Sequence, residues 1–364
     1  MKKIAFLVVC AFALACSNEK SGYEIAGTVD RGDLNGKYIY LYEYGVRDAA
    51  LLDSALVENS AFTFKGEQVT PALRILKFAD DAIDTDAYFS FAGFTPYAPW
   101  FLLDNSKLSI QVKENSSIVG SPENEELTAY MRRMDQLENE AEIIDEDAED
   151  AEEKYNAIFT NQEKTSKEYL LQHNNSITAA AIFYDLRYSL PENDRREILA
   201  NAGEAFKSAP NIDQMIEHLA VLDQVAIGKK FTDIEMTDPN DQLHRLSEYV
   251  GQGKIVLVDF WASWCPPCRR DMPQLVEAYK LYKDQGFEIV GISLDNDKAA
   301  WQKGIDDLHI TWPQLSDLQG WQSAGAALYG VNSIPHTILI DREGVIIDKN
   351  VHPKSLAEKI KGIL

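Results

Sequence analysis

The residues Val258-Asp259-Phe260-Trp261-Ala262-Ser263-Trp264-Cys265-Pro266-Pro267-Cys268 run from an apolar strand straight into two cysteines separated by two prolines. No other stretch constrains the fold as strongly. From Ile255 to Trp261 the chain is largely apolar and β-branched or aromatic, the composition of a buried strand. The prolines fit a first helical turn, which has no N–H to lose, and apolar residues recur at helical spacing from Met272 to Lys283. Two cysteines three apart at a helix start can close a disulfide ring with little movement. There the free N–H groups and the positive end of the helix stabilise a thiolate on Cys265, and the thiolate is the attacking species. Cys268, one turn in, is expected to be more buried and to attack a mixed disulfide from inside.

Around this stretch, residues 226–364 alternate strand and helix. Phe287–Leu294 reads as a strand, Lys298–Leu308 and Gln319–Tyr329 as helices. Thr337–Asp341 and Val345–Lys349 form a hairpin around Arg342-Glu343-Gly344, and Pro353–Leu364 is a last helix. Such alternation predicts an α/β sheet covered on both faces.

The run Asp259–Cys268 resembles the thioredoxin active-site signature, and Ile334-Pro335 matches that family's cis-proline. The span between Leu294 and Gln319 resembles the membrane-anchored reductases of the TlpA and ResA type. The resemblance implies a thioredoxin fold over 226–364 and thiol–disulfide exchange. It implies that Cys265 attacks, that Cys268 resolves and that Asp259 assists deprotonation of Cys268. It gives Trp264 the roles of shielding Cys265 and contacting substrate, while Ile334 and Pro335 offer backbone to an extended substrate. Many membrane-anchored relatives carry Asn where this chain has Asp259. A carboxylate buried in that strand has a raised pKa and can exchange a proton near neutral pH; the alternative is a strand-end aspartate open to water. Asp271 follows Cys268 by three, where a ResA-type enzyme places a glutamate that influences cysteine acidity; an exposed helix aspartate is the alternative.

Other uses of the pair fit less well. A zinc site needs two more ligands and a second CxxC is absent. A c-type haem site needs His after the second cysteine, where this chain has Arg269. Peroxiredoxins place a proline before the cysteine, and copper chaperones of this fold use a longer gap plus His, although His336 lies beside Pro335. No cofactor and no metal are expected.

The first residues are an address. Lys2 and Lys3 precede an apolar run from Ile4 to Leu14, too short for a span of roughly 20 residues and suited to a signal-peptide core. Ala13-Leu14-Ala15-Cys16-Ser17 resembles the bacterial lipoprotein signal, with Ala13 in place of the usual large aliphatic residue. The resemblance implies a signal peptide over 1–15, lipidation of Cys16 and a tether over 16–22. The alternative is an ordinary secretory signal cut nearby. The lipid reading places the protein in the bacterial cell envelope, facing the periplasm or the outer surface. There, re-reduction of the pair requires a membrane electron donor. Cys10 falls within the removed peptide.

Residues 23–120 read as β-rich. Tyr23–Val29, Tyr38–Tyr42, Ala61–Gly66, Leu73–Phe78 and Leu108–Val112 are strands of a small sandwich or barrel. Ile25–Val29, Asp53-Ser54 and Phe62–Gly66 resemble the β-rich domain of unknown function found ahead of thioredoxin modules in envelope lipoproteins. Tyr97, Trp100 and Phe101 are read as core. Residues 121–225 are helical. Apolar residues spaced by three and four from Leu127 to Ile158, through a strongly acidic stretch, predict one long amphipathic helix packed on its own chain; a dimerising coiled coil is the alternative. Thr178–Leu186, Glu192–Phe206 and Ile212–Val225 are further helices.

A net charge of −23 excludes non-specific nucleic-acid binding, which needs a basic face. The expected function is a thiol–disulfide oxidoreductase that reduces disulfides of exported protein substrates. The alternatives are a partner-binding or assembly lipoprotein with secondary redox activity, and a net thiol oxidant.

Overall fold

A computed structural model describes residues 22–46, 48–79 and 94–364. The signal-peptide reading, Cys10, Cys16 and the tether up to residue 21 lie outside the described residues. The chain divides into two compact units, one ending at Ile212 and the other starting at Asp213.

The first unit opens with eight strands. They are β1 (Tyr23–Val29), β2 (Tyr38–Glu43), β3 (Leu51–Leu56), β4 (Ala61–Gly66), β5 (Ala72–Phe78), β6 (Trp100–Leu103), β7 (Lys107–Val112) and β8 (Ser117–Val119). They form two four-stranded sheets, ordered β4-β1-β7-β8 and β3-β2-β5-β6. Alternation sets which side chains point inward: in β7, Leu108, Ile110 and Val112 are buried while Lys107, Ser109 and Gln111 face out. Ile25, Phe64 and Ile110 of one sheet share a core with Ile39, Leu76 and Phe101 of the other. A sandwich results, and Trp100 and Phe101 are core residues as expected. β3 escaped the sequence reading because it is an edge strand with no buried residue, so it carries no alternation.

Five helices follow: α1 (Pro122–Glu142), α2 (Ala151–Gln172), α3 (Ile177–Asp185), α4 (Glu192–Asn201) and α5 (Glu204–Lys207). Asn124 pins α1 to β6 by exchanging hydrogen bonds with the backbone of Leu102, each 2.8 Å. The single long helix expected from Leu127 to Ile158 is instead two, turned back on each other. Tyr130 of α1 stacks near Tyr169 of α2 at 4.5 Å and meets Ser166 Oγ at 3.0 Å. Between them lie Asp145, Glu146, Asp147, Glu149 and Asp150, whose mutual repulsion disfavours a continuous helix. Tyr155 of the supposed stripe is exposed. The helix expected over Glu192–Phe206 also breaks, at Gly203. There Asn174 O accepts from Gly203 N at 2.7 Å and Asn175 Oδ1 accepts from Ala205 N at 3.0 Å.

The second unit begins with α6 (Ile212–Gln224), whose Val225 end enters its core. Leu222 packs on Gly330, where a Cβ would fall 2.7 Å from Leu222 Cδ2 and φ is +65°. Composition drew the domain boundary at 226, past this helix; contacts draw it before. Then come β9 (Glu235–Thr237), β10 (Leu243–Arg245), β11 (Ile255–Trp261), α7 (Pro266–Tyr282), β12 (Phe287–Ser293), α8 (Lys298–Asp307), β13 (Gln314–Ser316), α9 (Ala324–Tyr329), β14 (His336–Ile340), β15 (Ile346–Lys349) and α10 (Pro353–Ile363). The sheet order is β10-β9-β13-β12-β11-β14-β15. β11 is parallel to β12 and antiparallel to β14, and every residue of β11 is buried. This is the thioredoxin fold expected over 226–364. The helix read over Gln319–Tyr329 is shorter, because Ser323 caps α9 by accepting from Ala326 N and a single turn at Gly320–Gln322 precedes it.

Candidate active site

β11 delivers the chain to the site and α7 starts there. Cys265 is the N-cap of α7, with φ −86° and ψ 105°, and Pro266 and Pro267 fill the first turn. Cys265 and Cys268 are joined by a disulfide with Cα atoms 5.4 Å apart. Cys265 Sγ accepts from Cys268 N at 3.2 Å, the helix-end donor that the sequence reading assigned to a thiolate. The peptide between Ile334 and Pro335 is cis, and the Ile334 carbonyl oxygen lies 3.8 Å from Cys265 Sγ. The distant pair Ile334-Pro335 is thus brought onto the cysteines.

The two sulfurs differ less in shelter than expected: Cys265 is 3 % exposed and Cys268 2 %. Trp264 does not lie folded away but is 50 % exposed, its ring 6.2 Å from that of Trp321. The Ile334 carbonyl oxygen lies against Cys265.

Asp259 sits mid-strand between Gly291 of β12 and Thr337 of β14. It is buried, so the water-exposed alternative is set aside. Burial pushes its carboxyl up to about 7, with the Asp271 carboxylate adding to the push. Asp259, Cys268, Asp271, Pro335, Thr337 and His352 line one cavity of about 230 Å³ behind the disulfide. The sequence-predicted Asp271 therefore does face the site. A cavity of that size with this many polar walls has room for several waters.

His336, beside Pro335, points away. Its pairing with Phe260 puts it on the opposite sheet face from Asp259, edge-on to the Phe260 ring at 6.2 Å. Burial holds its imidazole down at about 4. Among the described residues no group of three or more metal-binding side chains occurs, and no helix is long and apolar enough to cross a membrane.

Sequence reasoning missed Asp295, buried at the end of β12. Its carboxylate accepts from Ser263 N at 3.0 Å, Ser263 Oγ at 2.6 Å and Ser293 Oγ at 2.7 Å. Arg269 Nη1 donates to Ser263 O at 3.2 Å. The turn two residues before Cys265 is thereby fixed from both sides. An acid closing an otherwise apolar strand was the available signal, the same one that drew attention to Asp259.

Comparison with known proteins agrees with the fold. Residues 227–349 match the AhpC/TSA family, and residues 23–127 match a domain of unknown function, DUF4369. The chain is 38 % identical over 122 residues to the thiol-disulfide oxidoreductase ResA of Geobacillus kaustophilus, covering 34 % of this chain and 67 % of that one. It is 29 % identical over 142 residues to ResA of Bacillus anthracis, covering 39 % and 79 %. Among solved structures, the thioredoxin domain of a thiol-disulfide oxidoreductase from Bacteroides vulgatus aligns over 38 % of this chain and 99 % of its own. The identity there is 31 % and the TM-score 0.36. A putative thiol:disulfide interchange protein DsbE from Chlorobium tepidum aligns over 38 % and 98 %, with 28 % identity and a TM-score of 0.35.

Proposed function

Because the chain belongs to the thioredoxin-like thiol-disulfide oxidoreductases of the ResA type, we propose that Cys265 and Cys268 are its redox pair and that it reduces disulfides of exported proteins. The observation that carries this reading is the convergence of three separated elements. The N-cap Cys265, the Ile334-Pro335 backbone and the buried Asp259 meet around one disulfide.

In the reduced protein, the Cys265 thiolate attacks one sulfur of a substrate disulfide. That S–S bond breaks, the departing substrate thiolate takes a proton, and a mixed disulfide forms at Cys265. Cys268 then gives its proton to the Asp259 carboxylate through cavity water. Its thiolate attacks Cys265 Sγ, expels the second substrate thiolate and closes the Cys265–Cys268 bond. The substrate gains two electrons from the Cys265–Cys268 pair; of the two protons its thiolates take up, one comes from solvent and the other is the Cys268 proton, released again by Asp259. A membrane dithiol donor restores the pair.

Charge favours the reducing direction. An oxidant needs its reduced form stabilised as thiolate. Here Asp259, Asp271 and Asp295 lie around the pair, while the Arg269 guanidinium donates to Ser263 O. A potential toward that of thioredoxin, about −270 mV, is expected rather than one near −120 mV. Equilibration with glutathione buffers measures it, and a value near −120 mV would assign net oxidation instead. The lipid anchor at Cys16, the envelope location and the membrane donor complete the proposal. They rest on the sequence of the first twenty-two residues. The central test is Cys265→Ser: reduction of insulin disulfides should fall to background, and unchanged activity would end the proposal. A pull-down partner that survives loss of both cysteines would favour the assembly alternative.

A further inference from the structure

Of the six tryptophans in the chain, Trp100, Trp261, Trp301 and Trp312 are buried. The remaining two, Trp264 at 50 % and Trp321 at 52 % exposure, stand side by side with ring centroids 6.2 Å apart and planes inclined by 58°. A single exposed apolar side chain means little, but two large rings held together beside a reactive sulfur are a different matter. Trp264 immediately precedes Cys265, whose sulfur lies 3.8 Å from the Ile334 carbonyl oxygen.

Trp321 is held out on an ordered turn. Gln322 N donates to Gln319 O at 2.9 Å and Ser323 N to Gly320 O at 3.1 Å, while Ala324 N donates to Asp317 Oδ2 at 2.8 Å. Leu318 and Gly320 take φ values of +54° and +56° to make this turn, and a left-handed leucine is a conformation that needs such support. The surface is therefore in place before anything binds, which lowers the entropic cost of using it.

We propose that Trp264 and Trp321 form an aromatic jaw that selects the substrate. Its occupant is an extended segment of a disulfide-bearing protein whose residue next to the attacked cysteine is aromatic or large aliphatic. The inference rests on the reductase reading of the preceding section and narrows its substrate class. Two rings inclined to each other leave a face and an edge free, the arrangement that accepts a third ring edge-to-face. Trp321 is then a specificity-determining residue, not a participant in sulfur exchange.

The test compares wild type, Trp321→Ala and Trp321→Phe on three disulfide-linked peptides that differ only in the residue beside cysteine, Phe, Ser or Lys. Each rate is divided by that of the same peptide with dithiothreitol, and reduction of bis(2-hydroxyethyl) disulfide serves as a small reference. Wild type should favour the Phe peptide over Ser in kcat/KM by on the order of 3- to 10-fold. Trp321→Ala should abolish that preference while leaving the small disulfide and the reduction potential unchanged, and Trp321→Phe should restore most of it. Equal wild-type rates for Phe and Ser peptides, a Lys peptide reduced fastest, or a preference that survives Trp321→Ala would each overturn the jaw. Failure of wild type to reduce even the small disulfide would instead overturn the reductase reading, and the jaw with it.

Discussion

Replacing Asp259 by Asn should change how stability depends on pH. Burial holds the Asp259 carboxyl at about 7 in the folded chain, against 3.8 for the ordinary side chain. The gap of about 3 units corresponds to about 4 kcal/mol. The folded pKa is the higher one, so the folded state holds a proton that the unfolded chain has released. The relative stability is complete below about 3.8 and is lost as pH rises through about 7. Between pH 5 and 7 the wild type should lose about 1.1 kcal/mol per pH unit relative to Asp259→Asn, and about 2.6 kcal/mol in all by pH 8. Water admitted to the 230 Å³ cavity beside the carboxylate would ease ionisation and lower that total. Asn keeps the shape and removes the titration. Groups remote from Asp259 cancel in the difference. Guanidinium unfolding at pH 5, 6, 7 and 8, with the disulfide kept closed, gives the two curves. Tryptophan fluorescence reports on the right unit, since Trp261, Trp264, Trp301, Trp312 and Trp321 all lie after Asp213. A wild-type-minus-variant difference that stays constant from pH 5 to 8 would refute a raised Asp259 pKa.

Cys268→Ser should stop the cycle at the mixed disulfide, so non-reducing gels of cells that make this variant should show covalent adducts through Cys265; recovering none argues against protein substrates. Asp295→Ala leaves Ser263 N, Ser263 Oγ and Ser293 Oγ without their acceptor, which should cost about 2 to 4 kcal/mol in chemical unfolding and slow disulfide reduction; an unchanged midpoint removes Asp295 from the support of the cysteine turn. The resolving step needs ionised Asp259, so single-turnover resolution should rise with pH through about 7 in wild type and lose that step in Asp259→Asn; identical profiles would take Asp259 out of proton transfer.

The site was legible where local chemistry and long-range placement leave the same mark. Cys265, Pro266, Pro267 and Cys268 announce a helix start because proline and a capping acceptor are needed there, and α7 begins where they sit. Asp259 was visible because an acid in an apolar strand is costly without a use. The two sulfurs' near-equal shelter was not visible, because it depends on Ile334, sixty-nine positions away in sequence from Cys265. Trp321 was overlooked for a similar reason. Tryptophan is usually core, and only the turn fixed by Asp317 and Ser323 shows that this one is held outward. In the first unit the apolar spacing from Leu127 to Ile158 was real, yet periodicity alone does not say whether a stripe continues or folds back. Tyr130 meeting Tyr169 decided that.

Shelter of both sulfurs and an inward-facing acid make one chemical arrangement. On the proposed mechanism a substrate would reach this enclosed disulfide along Trp264 and the Ile334-Pro335 backbone. The cavity that holds Asp259 lies on the Cys268 side, so a proton can leave Cys268 for Asp259 while a substrate occupies Cys265. On the proposed mechanism, sulfur exchange with substrate takes place at Cys265 and proton transfer at Cys268, with Pro335 bordering both. That division of labour would put the buried acid to use beside the inner sulfur. It also divides the effects of mutation. Changes at Trp264 and Trp321 should alter which disulfides are reduced, whereas changes at Asp259 should alter how resolution depends on pH. A Trp321 variant with a shifted pH profile, or an Asp259 variant with altered peptide preference, would show that the two sides are not independent.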